Sequence, residues 1–215
     1  MTVPLTTFLP DIAIEVPGCP QPLIEHHIVR VLADFCMQSR YLTEILPAKD
    51  VVANLNEYAV APSSANNQLV RIEEVWYDGE AIDPVSVAEL DAEITGWRTD
   101  TGLPRIYASE DGEGTLLLVP VPDADAAGAL KIKISIALDP TTSPTGFDPI
   151  LYRRYGQGIA AGVKAKLMAI PGQSWSNPDL ASQYSREYQV TVSTAKEASR
   201  KGLTKSRRRA ATYYR

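Results

Sequence analysis

The sequence is poor in the residues that most often build catalytic or metal sites. Its 215 residues include 2 histidines and 2 cysteines. Neither Cys19 nor Cys36 has a second thiol or a histidine at ligand spacing, which excludes a zinc site and a disulfide framework. Cys36 lies in an apolar helical pattern and is predicted to be a small core residue. His26 and His27 are adjacent, so on a helix they point about 100° apart and cannot share a metal ion.

Catalytic motifs are absent as well. The chain has no GxSxG, Walker loop, HExxH or CxxC sequence. The segment YGQGIAAG (155–162) begins like a dinucleotide fingerprint, but it follows no strand and lies inside a helical pattern, so we interpret it as a packing element. The acids Asp111, Glu113, Asp123 and Asp125 fall in turn segments, where backbone geometry explains them. We therefore predict no enzyme activity, no cofactor and no metal.

Long apolar runs are also missing. No window approaches 18 consecutive apolar residues, so nothing is predicted to span a membrane. The first eighteen residues lack a basic region followed by a continuous apolar segment and do not resemble a signal peptide. The composition is 45% apolar, enough for one substantial core, and a cytosolic origin is expected.

What the sequence does contain is helical periodicity at its two ends. Residues 22–46 are predicted as a first helix, with Pro22 in its first turn and Pro47 at its end. Its apolar face is Ile24, Ile28, Val31, Leu32 and Phe35.

Helical period returns at 148–170, where Gly158 and Gly162 are four residues apart and would let a neighbouring helix approach closely. A last helix begins after Asn177 as its cap, with Pro178 at the first position. The predicted apolar stripes are Tyr152, Tyr155, Ile159, Val163 and Leu167 on the first of these helices, and Leu180, Tyr184, Tyr188 and Val192 on the second.

Between the helices, from about residue 51 to 138, apolar residues recur at every second position, the pattern of a β-strand. Asp78-Gly79 predicts a hairpin turn, and residues 104–110 a strand. In ALKIKISIAL (129–138), Leu130, Ile132, Ile134 and Ile136 are expected to face the core, and Lys131, Lys133 and Ser135 to face outward. TLLLVPVP (115–122) is predicted as the partner of that strand. Residues 84–94 predict a short helix, with Trp97 anchoring the chain after it.

This order predicts an α+β fold. A helical bundle, made of a long N-terminal helix and two C-terminal helices, would carry an inserted, mainly antiparallel β domain and an extended C-terminal arm. The predicted boundaries are 1–50 for the N-terminal arm and first helix, 51–146 for the β domain, 147–199 for the two last helices and 200–215 for the basic arm.

The C-terminal charge is the strongest compositional signal. Residues 196–215 hold eight basic residues and one acid, a net charge of +7, while residues 1–195 carry −12. Such a contrast is typical of an arm that docks on an anionic partner, although a solvated disordered terminus has the same composition. The 10 tyrosines and 3 tryptophans, against 3 phenylalanines, favour an assembly protein with partly wet interfaces.

Several segments together resemble the head-to-tail adaptor proteins of tailed bacteriophages. The resemblance runs over about residues 22–199 and rests on the order of these segments, with no single diagnostic motif. They are FCMQSRYL, RIEEVWYDGEAIDP, TGLPRIYA after Trp97, LLLVPVP, LKIKISIALDP, FDPILYRRYGQGIAAGVKAKLMAIPGQSWSNP and the closing tyrosine-bearing helix.

The resemblance implies a structural protein of the virion, at the head-tail junction, assembled in the host cytoplasm. Such adaptors form a ring, typically of twelve subunits, that joins the portal to the tail or its nozzle and surrounds the passing genome. An acidic body would suit that channel, because it repels phosphate. The C-terminal segment of the family commonly lies along the portal. The residues this implies as portal contacts are Arg207, Arg208, Arg209, Tyr213, Tyr214 and Arg215.

Two other interpretations stay open at this point. The run RKGLTKSRRR (200–209) is typical of a phosphate clamp, so a nucleic-acid-binding module is the main alternative. An enzyme with an unfamiliar site is the second. The sequence also leaves open whether residues 1–20 form an ordered contact arm.

Overall fold

The polypeptide divides into two compact units, one inserted within the other. The computed structural model describes residues 2–110 and 114–201. Met1–Tyr41 and Leu138–Arg215 make up the first unit, here called the helical unit, and Leu42–Ala137 make up the second, here called the β unit. The fold is α+β with a large, mainly antiparallel sheet, which confirms the predicted class.

The helical unit begins with a short irregular segment that is part of its core. Strand β1 (Val3–Pro4), a 3-10 turn at Leu5–Phe8 and helix α1 (Leu9–Ile12) precede helix α2 (Gln21–Ser39). Phe8, Ile12 and Val16 recur every fourth residue and are almost completely buried. The first part of the chain is therefore ordered against its own unit.

Helix α2 confirms the predicted apolar face but not the predicted end. All five apolar positions of that face are buried. The prediction that the helix continues to residue 46 is wrong. Arg40 takes a left-handed conformation, with φ of 51°, and its N–H donates to the Cys36 carbonyl at 2.8 Å. This C-cap ends the helix without the glycine that usually marks one.

The β unit consists of ten strands and one helix within the described residues. They are β2 (Thr43–Ile45), β3 (Lys49–Val51), β4 (Glu57–Ala59), β5 (Asn67–Tyr77), β6 (Glu80–Pro84), α3 (Val87–Glu93), β7 (Thr101–Gly102), β8 (Ile106–Glu110), β9 (Thr115–Val119), β10 (Val121–Pro122) and β11 (Ala126–Leu138). The main sheet has the order β2-β11-β5-β6-β8-β9-β4, with β3 also paired to β11. β6 and β8 run parallel, and β7 and β10 form a separate parallel pair.

The predicted hairpin and short helix are both present. β5 and β6 pair through Tyr77 and Glu80, and the two residues between them, Asp78 and Gly79, both have positive φ, as a type I′ turn requires. Helix α3 begins with a capping box between Ser86 and Glu89.

Strand β9 has different neighbours from those predicted. It pairs with β8 and β4, while β11 pairs with β2, β3 and β5, so the expected partnership of 115–122 with 129–138 is wrong. Both faces of β9 are buried. Leu116 and Leu118 join one apolar cluster, and Leu117 and Val119 join another beneath α3. This explains the run of consecutive apolar residues, because a strand that is covered on both faces has apolar side chains on both and shows no alternation.

Strand β11 follows the predicted alternation as far as Ile134, but Ile136, predicted to face the core, is only half-buried and Ala137 is buried. Leu130, Ile132 and Ile134 are buried and Lys131 is exposed, as expected. Ser135, predicted to face outward, is completely buried. Its hydroxyl donates to the Arg71 carbonyl on β5 at 3.3 Å, so the polar group is satisfied inside the sheet.

The chain then returns to the helical unit through β12 (Gly146–Phe147), which pairs with β1, and through helices α4 (Pro149–Met168) and α5 (Pro178–Lys201). The Asn177 side chain accepts from the Leu180 N–H at 3.1 Å, which confirms the predicted cap. Leu180 itself is exposed, contrary to prediction. The buried positions of α5 are Ala181, Tyr188, Val192 and Ala195.

Helix α4 packs against both α2 and α5, and its glycines allow this approach. A Cβ on Gly158 would lie 2.1 Å from the Thr191 hydroxyl oxygen of α5. A Cβ on Gly162 would lie 2.7 Å from the Tyr188 ring and 3.0 Å from Val31 of α2. The predicted packing role of the two glycines is confirmed.

Candidate functional site

Among the described residues, no cluster of side chains could hold a metal ion. Residues 2–110 and 114–201 hold no group of three histidine, cysteine or acidic side chains able to bind a metal ion. His26 is exposed and His27 is half-buried. Burial, together with the charges of neighbouring groups, lowers the pKa of His27. Cys36 is completely buried, and burial raises its pKa to about 12. None of the helices described is both long and apolar enough to cross a membrane.

The candidate surfaces lie on the helical unit, where hydrogen bonds hold the N-terminal segment against α4 and α5. The Glu15 carboxylate accepts from the Lys164 ammonium at 2.9 Å and from the Tyr184 hydroxyl. The Lys164 nitrogen also lies 4.3 Å from the Tyr184 ring centre, a cation–π contact. The hydrogen bond from Tyr184 lowers the pKa of Glu15, and the same bond raises the pKa of Tyr184 to about 12. A second hydrogen bond between α4 and the N-terminal segment runs from the Tyr152 hydroxyl to the Asp11 carboxylate at 2.9 Å.

Hydrogen bonds connect helix α5 to α2 and to the residue that caps α2. The Tyr188 hydroxyl donates to the Asp34 carboxylate at 2.9 Å, and burial raises the pKa of this tyrosine. Near the other end of α5, the Ser199 hydroxyl donates to the Arg40 carbonyl at 2.8 Å. Tyr152, Tyr184 and Tyr188 thus use their hydroxyl groups inside their own unit.

Two surface cavities lie on opposite sides of α4. One, of about 730 Å³, is a groove between α4 and α5. We call it the basic groove, and its defining residues are Gly162, Ala165, Lys166, Ala181, Ser182 and Arg186. The other, of about 470 Å³, lies between the N-terminal segment, α4 and α5. We call it the acidic flank, and its defining residues are Asp11, Ile14, Glu15, Gln157, Lys164 and Glu187.

The helix geometry fixes this arrangement. Lys164 lines the acidic flank and Lys166 lines the basic groove. Positions two residues apart are rotated by about 200° around an α-helix, so the side chains of Lys164 and Lys166 leave α4 in nearly opposite directions. Arg153 and Arg154 line a separate cavity nearer the N-terminal end of α4.

Charge is distributed unequally between the two units. The β unit carries 17 acidic and 6 basic residues, a net charge of −11, and the remaining residues carry 9 acidic and 15 basic residues, a net charge of +6. The acidic character predicted for the whole body therefore belongs to the β unit.

Trp97, the predicted anchor, is buried in the β unit beneath α3. Its indole N–H donates to the Asp91 carboxylate at 2.9 Å, and Arg98 lies over its ring at 4.2 Å. The Arg98 guanidinium also donates to Asp91 at 2.5 Å, and this bond holds the pKa of the carboxyl below its usual range.

The sequence-predicted portal contacts lie outside the described residues. These are Arg207, Arg208, Arg209, Tyr213, Tyr214 and Arg215. The turn predicted around Asp111 and Glu113 also falls there. The surface residues that the sequence pattern did not indicate are Asp11, Ile14, Glu15, Lys166, Arg186 and Glu187. The spacing of Phe8, Ile12 and Val16 is a signal that could have placed the N-terminal segment in the core.

The described residues provide packing contacts between helices and two oppositely charged surface cavities on the helical unit. The model of one family, SU10 adaptor protein, matches residues 9–213. The chain therefore belongs to the SU10 adaptor protein family, a family of phage head-to-tail adaptors, and this confirms the resemblance. No curated protein matches the chain. The protein is a phage structural adaptor, and its family implies a place in the virion and contacts with other phage structural proteins.

Proposed function

We propose that this adaptor forms a ring that joins the portal to the tail or its nozzle and surrounds the genome as it passes. The family match over residues 9–213 carries the proposal. Such rings typically have twelve subunits, and a ring of identical chains needs two different, complementary surfaces on each chain. The three packed helices α2, α4 and α5 form the bundle that we assign to its rigid wall.

The C-terminal segment is the part that we assign to the portal. Helix α5 is described as far as Lys201, and the fourteen residues that follow in the sequence contain five basic residues and no acid. Arginines recognise carboxylates through bidentate hydrogen bonds, and tyrosines bury a large ring while keeping a polar tip. We therefore propose that Arg207–Arg209 and Arg215 bind acidic residues of the portal and that Tyr213 and Tyr214 occupy an apolar pocket.

The β unit is the part that we assign to the channel. Its net charge of −11 repels DNA phosphate, which lets the genome slide without binding. A cryo-electron microscopy map of the ring would contradict this assignment if the surface nearest the channel axis were mainly basic.

The deciding experiment mixes the full-length chain with a cognate portal ring and images the product by electron microscopy. We expect a closed ring stacked on the portal, and a chain that stays monomeric beside the portal would refute the proposal. A chain ending at Lys201 should unfold at the same temperature as the full-length chain but occupy the portal much less. Unchanged occupancy would show that the C-terminal segment is not the portal contact.

The nucleic-acid-binding alternative has its own outcome in this comparison. A DNA shift assay at low and high salt measures binding by both chains. Salt-sensitive binding lost in the shortened chain, with portal attachment intact, would favour the phosphate clamp.

A further inference from the structure

We infer that a second copy of this chain docks its acidic flank against the basic groove of the first, and that this contact, repeated, closes the ring. The inference rests on the ring of the proposed function and names the two surfaces that meet in it.

The basic groove presents positive charge without a partner. Within the described part of the chain, neither Lys166 nor Arg186 forms an ion pair. The one acid that lines the groove, Asp34, is already engaged, because it accepts from Tyr188 at 2.9 Å and from Gln38 at 2.8 Å. The groove can therefore accept an anionic surface without disrupting its own hydrogen bonds.

The acidic flank presents an apolar side chain beside negative charge. Ile14 is 82% exposed, whereas Ile12 and Val16 on either side of it are buried. Those two buried residues fix the backbone and hold Ile14 out from the surface. Glu187 forms no ion pair with any residue in the described ranges, so its charge is available to a partner.

The basic groove also has space for the exposed side chain of the acidic flank. Glycine, alanine and serine line much of the basic groove and leave a cavity of about 730 Å³, which has room for a protruding isoleucine side chain. Docking would bury Ile14 and bring Glu187 toward Lys166 and Arg186. Burial of an exposed isoleucine supplies affinity, and the charges set the orientation of the two copies.

The positions of the surfaces favour a ring over a two-fold dimer. The surfaces lie on opposite sides of α4, so a copy that uses its flank on one neighbour keeps its groove free for the next. Such a head-to-tail contact generates a closed ring when the rotation per subunit closes.

Two charge-reversed chains test this contact. The groove variant carries Lys166→Glu and Arg186→Glu, and the flank variant carries Gln157→Lys and Glu187→Lys. Each variant alone opposes like charges at every interface, so we expect the concentration needed for half-assembly to rise at least tenfold. Mixed in equal amounts, the two variants can alternate around the ring with complementary charges at every contact. We therefore expect assembly of the mixture to return to within about threefold of wild type.

The assay is native mass spectrometry of the full-length chains, with electron microscopy of the same samples on portal rings. Lys196→Glu is the matched control, because it reverses an exposed charge on α5 outside both cavities, and it should assemble like wild type. Circular dichroism confirms that each variant is folded. Ile14→Ser provides a second test that leaves all charges in place, and it should also weaken assembly.

The outcomes separate this inference from the proposed function. If the wild-type chain forms rings and the charge-reversed variants assemble equally well, the proposed interface is wrong but the ring stands. The same conclusion follows if the mixture assembles no better than either variant alone. Wild-type chains that form no ring, alone or on the portal, overturn the ring and the interface with it.

Discussion

Gly158 on α4 provides the sharpest test of how the helical unit is packed. A Cβ at this position would lie 2.1 Å from the Thr191 hydroxyl oxygen and 2.5 Å from two carbon atoms of the same side chain. The Thr191 hydroxyl donates to the Glu187 carbonyl at 2.9 Å, so it cannot turn away without losing a hydrogen bond. Gly158→Ala must therefore push α5 away from α4.

Two opposing effects set the magnitude of that change. Alanine is favoured over glycine inside a helix by about 1 kcal/mol. An extra methyl group in a closely packed interior costs about 1–3 kcal/mol. The contact is far below van der Waals distance and Thr191 is a rigid β-branched residue. The steric cost of the added methyl group therefore exceeds the gain in helix propensity. We expect Gly158→Ala to lower the free energy of unfolding of the helical unit by about 1–2 kcal/mol.

Gly156→Ala on the same helix is the matched control. Its Cβ would lie 3.2 Å from the Tyr152 ring, so the ring would have to shift by only a few tenths of an ångström, far less than Thr191 would have to move beside Gly158. We expect this variant to be as stable as wild type or slightly more stable. Urea unfolding followed by circular dichroism at about 222 nm measures both free energies. If Gly158→Ala proved as stable as Gly156→Ala, the close approach of α4 and α5 described here would be wrong.

Three further predictions concern other contacts. Glu15 has a lowered pKa, so its carboxylate stabilises the fold above the unfolded pKa of about 4.3, and this contribution is lost as pH falls through the folded value. Because the side chain is partly exposed, Glu15→Gln should cost about 1 kcal/mol or less at pH 7 in urea unfolding, and less as the pH falls below the unfolded pKa; a cost independent of pH would contradict this. Ser86→Ala removes the cap of α3 and should lower the free energy of unfolding of the β unit by about 1 kcal/mol, and a change near zero would exclude the capping box. A thiol reagent should label Cys19 in the native protein and Cys36 only after denaturation, and rapid native labelling of both would show that Cys36 is accessible.

Features with a local cause were predictable from the sequence. The cap at Asn177, the turn at Asp78-Gly79 and the capping segment before α3 each depend on neighbouring residues, and each is present. The role of Gly158 was predictable too, because glycines four residues apart lie on one face of a helix and leave room there for a second helix.

Features that depend on distant residues were not predictable in the same way. The end of α2 lies at Arg40, where no glycine or proline marks it, and Tyr41 to Leu46 continue an apolar pattern that fits helix and strand alike. Residues 43–45 become a strand because β11 offers them a partner ninety residues later.

The candidate surfaces depend on long-range contacts to an even greater degree. Glu15 and Tyr184 are 169 positions apart, and no periodicity connects them. The fold covers one side of each element and leaves Ile14 exposed and Lys166 without an ion-pair partner among the described residues. The sequence pattern does not determine which side is covered.

The pairing of β2 with β11 has a consequence for the insertion of the β unit. Thr43 and Ser135 are partners in that ladder, and the Ile136 N–H donates to the Leu42 carbonyl at 3.0 Å. The polypeptide thus passes into the β unit and out of it at adjacent points, about 5 Å apart. A gap that short can be bridged by a few residues, so the length of the inserted segment places no constraint on the distance between the two chain ends of the helical unit that flank it.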